Sequence, residues 1–264
     1  MPGTSTARRR WRMTLWLVFL LFLMPAVASI ALRLFFDQPH WSDASHASSG
    51  QAPSPEQVRE AVVQVYAART WGLRGAVAVH TWIAVKRSDA DAYTRHEVIG
   101  WRLRRGGSAL VSARGEPDAM WFSNPPELLA DLRGDGVDGV IDRVEAAVAE
   151  YPYAREYVTW PGPNSNTFTA FVGRRVPELD LELPTTAIGK DYLAGGAVTD
   201  HAPSGTGYQF SLFGIAGVTA ALREGLEVQL FGLTVGLRPA PFAIKLPGLG
   251  AWPRRDVLPH RIEG

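Results

Sequence analysis

The 264-residue chain contains no cysteine. That excludes disulfides, thiolate metal sites and a cysteine nucleophile together, and it is compatible with an oxidising compartment without requiring one. Patterns for other ligands are missing as well. There is no H-E-x-x-H, His201 and His260 stand alone, and the acids are dispersed. The stretch 131–142, DLRGDGVDGVID, lacks the spacing and the closing glutamate of a calcium loop. No glycine-rich fingerprint opens a helix, and Ile188-Gly189-Lys190 lacks the GxxxxGK[ST] pattern of a phosphate loop. The sequence therefore gives no metal and no cofactor. A strong net charge is missing too, the formal value being +1. Residues 1–36 hold five arginines and no acid, leaving 22 basic against 26 acidic residues beyond them. No phosphate-binding surface follows from that balance, and nucleic acid is excluded as the expected partner.

One long run lacks charge altogether. Thr14 to Leu32 holds nineteen residues without an ionisable side chain, close to the length that crosses a hydrocarbon core of roughly 30 Å. Arg8, Arg9, Arg10 and Arg12 stand before it, which by the positive-inside rule keeps the N-terminus cytoplasmic. Arg33 can snorkel at the far end, and Pro25 can kink the helix without breaking it. Small residues around Ala26 to Ala31 also suit a cleaved signal peptide, but the apolar stretch exceeds the usual signal core. The expected organisation is a cytoplasmic basic tail (1–13), a transmembrane anchor in the lipid bilayer (14–36), a polar linker (37–54) carrying His40 and His46, and one exported globular domain (55–264).

Within that domain, Ser54, Pro55 and Gln57 read as a capped helix start, with Val58, Ala61, Val62 and Val65 on one face. Gly75 to Lys86 and Tyr93 to Leu103 read as a β hairpin around the turn at 87–91. Val137 to Ala149 carries a helical apolar stripe, and a short helix is expected from about Asn166 to Arg175. Tyr208 to Leu222 and Leu226 to Leu237 read as strands, with glycines marking tight turns. The nine tryptophans suit packing in a core and at a membrane interface. The class is α+β with a β-rich C-terminal part.

The densest local string is Trp160-Pro-Gly-Pro-Asn-Ser-Asn-Thr-Phe168. Its prolines fix a turn and its polar residues open a helix, so Ser165 sits where unpaired N–H groups favour negative charge. Asn164, Ser165 and Asn166 are equally competent as caps. His80 interrupts an apolar strand and is the natural base for a serine nucleophile. It is equally a satisfied half-buried residue. His96, on the next strand, could orient His80, or sit on a solvated edge. Lys190, in LPTTAIGKDY (183–192), can stabilise an oxyanion or stand in an exposed Lys-Asp pair.

A strand histidine, a polar partner on the following strand and Asn-nucleophile-x-x-Phe at a helix start resemble the circularly permuted papain-like (NlpC/P60) superfamily. That resemblance, over residues 75–175, implies a permuted papain-like fold with His80 as base, His96 as orienting residue and Ser165 as nucleophile. Asn164, Asn166 and Lys190 would then contact substrate. The chain departs from the pattern in carrying Ser165 where that superfamily has cysteine. Most of the exported part resembles a bacterial membrane-associated family, domain of unknown function 3750, through HTWIAVK (80–86), WPGPNSNTF (160–168) and LPTTAIGKDY (183–192). The two expectations are a serine-dependent amide or ester hydrolase or acyltransferase acting on an envelope peptide or lipid, and a catalytically silent ligand- or partner-binding domain. Either would sit on the outer side of a bacterial inner membrane.

Overall fold

The structure is a computed structural model describing residues 4–35 and 39–263. Residues 1–3 of the expected tail, residue 36 of the expected anchor, residues 37 and 38 of the expected linker, and residue 264 lie outside the described residues. The chain begins with α1 (Thr4–Val18), a π turn (Phe19–Leu23) and α2 (Met24–Leu34). Together Arg8–Leu34 make one 27-residue helix long and apolar enough to cross a membrane, about 40 Å at the α-helical rise. Pro25 lacks an N–H, and its ring crowds the carbonyl one turn back. The helix responds by widening, so that the Met24 N–H bonds the Phe19 carbonyl across five residues. The far end of the helix docks on the body. Ser29 is buried there, and its Oγ donates to the carbonyls of Ala76 (2.6 Å) and Gly248 (3.1 Å).

The body is built on a six-stranded sheet. Its strands are β1 (Val62–Arg69), β2 (Val79–Lys86), β3 (Thr94–Val98), β4 (Leu110–Arg114), β5 (Glu127–Arg133) and β13 (His260–Arg261), in the order β13-β5-β1-β2-β3-β4. All pairings are antiparallel except that of β13 with β5. The central strands are buried on both faces from Val62 to Ala68 and from Val79 to Lys86. This explains the first correction: no helix forms from residue 55. Apolar residues at 58, 61, 62 and 65 fit a helical stripe, but β-branched Val62, Val63 and Val65 fill both sides of a central strand. The expected strand from Gly75 begins at Val79, after a 3-10 turn (Gly72–Ala76), and that from Tyr93 ends at Val98, before another (Gly100–Arg105).

Two helices, α3 (Val137–Ala149) and α4 (Ser165–Arg175), cover one face and form the main core with Val63, Val65, Ile83 and Val85. Both stand where the sequence put them. The opposite face carries a smaller core of Tyr66, Trp82, Tyr93 and Trp121. The stretch read as a polar linker is laid across the body. Asp118 accepts hydrogen bonds from Ser48, Ser49 and the backbone of Gln51 and Ala52, and the His46 ring packs on Phe122.

The C-terminal third is a seven-stranded antiparallel meander: β6 (Thr199–His201), β7 (Gly207–Leu212), β8 (Ala216–Ala221), β9 (Gly225–Leu230), β10 (Leu233–Pro239), β11 (Phe242–Leu246) and β12 (Gly250–Trp252). Each long strand expected from the sequence is two short ones joined by a tight turn. Gly214 and Gly232, both at positive φ, stand in the turns leading from β7 to β8 and from β9 to β10. The molecule is thus α+β, with an apolar N-terminal helix and a β-rich remainder.

Candidate functional site

Strand alternation decides the fate of the expected catalytic pair. In β2, Thr81 points to α4: its Oγ1 donates to the Ser165 carbonyl (3.3 Å) and to Asn166 Oδ1 (3.0 Å) and lies 2.9 Å from Thr169 Oγ1. His80, one residue earlier, points to the other face. It pairs in register with Ala68, in the smaller core, and its ring stacks on Trp121 with centroids 3.8 Å apart. The sheet therefore separates His80 from Ser165. The side chain of β2 that faces the helix start is a threonine, which carries no basic nitrogen. Ser165 Oγ makes no hydrogen bond to any described residue.

His80 is engaged elsewhere. Its Nε2 lies 2.9 Å from Glu97 Oε2, which also accepts from Arg95 at 2.9 Å, while the Arg95 guanidinium lies over Trp82. Burial lowers the His80 pKa against the opposing pull of Glu97. His80 and Arg95 hold Glu97 below the usual carboxylate range although burial pushes the other way. The consistent state is a neutral imidazole donating from Nε2 to an ionised carboxylate. His96 points to the helix side, opposite to Glu97. Its Nδ1 lies 2.8 Å from Ser112 Oγ and its buried Nε2 has no partner among the described residues. It cannot orient His80, and burial lowers its pKa as well.

The expected substrate contacts are architectural. Asn164 caps α4, accepting from the N–H groups of Asn166 and Thr167. The Nδ2 of Asn164 donates to the carbonyls of Thr159 and Ile188. Asn166 donates to the carbonyls of Val79 and Ile188, tying the helix to β2. Gly189 approaches so closely that a Cβ there would meet Asn164 Nδ2 at 2.2 Å. Lys190 is neither exposed nor free. Its ammonium binds Asp191 at 2.9 Å and Glu227 at 2.7 Å, and Glu227 in turn binds Lys245 at 2.6 Å. The two lysines hold Glu227 down to about 2 against the effect of burial.

A different feature carries the chemistry of a binding site. A cavity of about 470 Å³ opens where α2, β1, β5 and the meander meet. Arg33, Arg69, Arg223, Arg238, Arg254 and Arg255 line it, against only Glu127 and Glu182. Glu182 is already committed to Arg238 (2.5 Å) and Lys245 (2.7 Å). The Arg69 guanidinium is held by the carbonyls of Gly75, Ala76 and Gly248 and by no carboxylate among the described residues. Three of its five N–H groups are thereby used, leaving two for a ligand. Burial lowers the Arg69 pKa, and the charges of Arg254 and Arg33 add to that. An anion would relieve this crowding. Sequence reasoning missed the cavity because its arginines lie far apart in the chain. The available signals were Arg33 at the end of the apolar run and the Arg254-Arg255 pair. Among the described residues no group of three or more His, Asp or Glu side chains could hold a metal ion.

Comparison with curated proteins and with solved structures returns no match. A family model described as "Protein of unknown function (DUF3750)" matches residues 60–192, half of the chain, spanning β1 through α4 to the Lys190 loop. The chain belongs to that family.

Proposed function

We propose that this protein is a membrane-tethered, non-catalytic binding protein whose arginine-lined cavity takes an anionic group, phosphate or carboxylate, presented near the end of its N-terminal helix. The supporting observation is the buried Arg69, clamped by three carbonyls, beside Arg33, Arg254 and Arg255 with one uncommitted acid, Glu127, on the wall. Fixed guanidinium forks match carboxylate and phosphate geometry, and are strongest where water is partly excluded. The separation of His80 from Ser165 by the sheet favours binding over acyl transfer. The 27-residue apolar helix supports membrane tethering, and Arg8, Arg9, Arg10 and Arg12 favour a body on the opposite side.

The test uses the full chain in a zwitterionic detergent. Thermal stability is followed while short-chain phosphatidylglycerol, short-chain phosphatidylcholine or inorganic phosphate is added. A ligand that binds only the folded state raises the melting temperature with concentration. Stabilisation is expected from phosphatidylglycerol and not from phosphatidylcholine, weakening as salt is raised and lost in Arg69→Gln. The phosphate arm tells a free anion from a lipid headgroup. Equal stabilisation by the two lipids, or an unchanged response in Arg69→Gln, overturns the proposal.

A further inference from the structure

The meander is amphipathic in the reverse sense from a sheet in water. Its strand register lines up Tyr208, Ala220, Leu226, Leu237, Ile244 and Trp252 as directly opposed neighbours across six strands, β7 to β12. All six side chains are exposed, Tyr208 and Trp252 by 70% and 75%. The adjacent row, Gln209, Thr219, Glu227 and Lys245, is buried against the body. Alternation continues along each strand, and no charged side chain points outward between Gly207–Leu212 and Phe242–Leu246. A water-facing sheet turns its apolar side in and its polar side out. An exposed apolar face running across a whole sheet marks an interaction surface.

What covers this face is indicated by where the sheet sits. β10 packs against Phe19–Leu23, the middle of the 27-residue apolar helix. In the turn between β11 and β12, Gly248 lies against Ser29, and a Cβ on Gly248 would come within 2.8 Å of Ser29 Cβ. With the helix as the membrane anchor proposed above, its contacts with β10 and the β11–β12 turn bring this part of the sheet to the depth of the hydrocarbon. The apolar outer face then adds to the apolar surface of the helix at the same depth. We infer that the outer face of the meander lies against lipid acyl chains, so that the protein is held by an immersed sheet as well as by a single helix. The inward polar face, neutralised by the Lys190, Glu227 and Lys245 ion pairs, then separates the body from the lipid. The strands that present this face, β7 to β11, are paired on both sides, so their backbone groups are satisfied within the sheet, as lipid contact requires.

Because the chain has no cysteine, a single introduced thiol labels one position only. The full chain is reconstituted in vesicles of phosphatidylcholine alone, so that anion binding in the arginine cavity plays no part. Val228→Cys and Leu237→Cys report the outer face, and Asp142→Cys, on the exposed side of α3, reports water. Each carries a nitroxide, whose collisions with oxygen and with a water-soluble nickel complex are measured. Outward labels should meet oxygen at least about threefold more often, relative to nickel, than the Asp142 label. Circular dichroism confirms that each variant is folded. Nickel access at 228 and 237 equal to that at 142 places the face in water and overturns the inference. Protection from both probes means that a second copy or another protein covers it, and overturns it equally.

Discussion

The two sheets solve the same problem with opposite materials. In the six-stranded sheet, β1 and β2 are mostly apolar on both faces, because helices cover one side and the Trp82–Trp121 cluster the other. In the meander the buried row is polar and the exposed row apolar. Both are alternating chains of similar hydrogen bonding, so the difference lies in what each face meets. The body sheet buries hydrocarbon against hydrocarbon. The meander meets the body through charges that must be matched in pairs, as Glu227 is by Lys190 and Lys245. Binary pattern thus tells which residues share a face, while the neighbouring medium decides which face is inside.

The sharpest way to break this comparison is to unbalance the polar interface. Glu227→Gln leaves two buried ammonium groups without their shared carboxylate, and removing one partner of a buried pair costs about 3–5 kcal/mol. Ile83→Ala, in the body sheet, is expected to cost about 2–5 kcal/mol by opening a cavity. Denaturant titration of both variants should therefore give losses of similar size. A neutral Glu227→Gln would show that the inner row is not a packed interface, and the parallel between the sheets would fail.

Thr81→Val probes the body sheet at the polar position of β2 that faces α4. The substitution keeps the shape but removes the donor to Asn166 Oδ1 and the Ser165 carbonyl. A buried acceptor left unsatisfied costs about 1–3 kcal/mol. The loss should appear as lower stability, with hydrogen exchange rising first at the start of α4. A change below about 0.5 kcal/mol would mean that packing alone holds the helix to β2.

Acid should act on the body before it acts on the meander. His80 and His96 both have pKa values lowered from the ordinary 6.5 by burial. Below about pH 6.5 the unfolded chain binds protons that the folded one refuses, so stability is full above that pH and falls beneath it. Each histidine contributes a slope of up to about 1.4 kcal/mol per pH unit. Glu97, depressed by its partners, adds a further loss as pH falls below the ordinary 4.5. Thermal unfolding between pH 7.5 and 5 measures this, and His96→Gln should lower the slope. A flat profile would contradict the neutral, buried histidines.

How much of this was readable beforehand depended on whether a face had a contrasting medium. The helices α3 and α4 were legible, because Val137, Val140, Ile141 and Val144 form one stripe and Asn164 offers a cap after two prolines. The meander strands were legible as strands, since Tyr208 and Phe210 alternate with Gln209 and Ser211, but alternation does not say which set faces out. In β2 the signal vanished. Every residue from Val79 to Lys86 is buried, so nothing in the sequence separates the side that holds His80 from the side that holds Thr81. A shift of one residue exchanges the two faces, and that shift is the difference between a catalytic pair and two residues kept apart. The arginine cavity was illegible for another reason: it joins residues 33, 69, 223, 238 and 254, which only tertiary structure brings together.

The smallest expected effect tests the same point at Ser165. A nucleophile held by a base cannot be replaced without loss, whereas a helix-start side chain bonded to nothing described can. Asn164, not Ser165, supplies the cap, with both of its N–H acceptances and its reciprocal bond to Thr167 intact when Ser165 is changed. Ser165→Ala should therefore shift stability by less than about 0.5 kcal/mol and leave the phosphatidylglycerol response untouched, while Asn164→Ala should cost about 0.5–2 kcal/mol. If Ser165→Ala instead abolished labelling of the wild-type protein by a serine-reactive phosphonate, the hydroxyl would be activated by a group other than His80. The non-catalytic reading of this helix start would then be wrong.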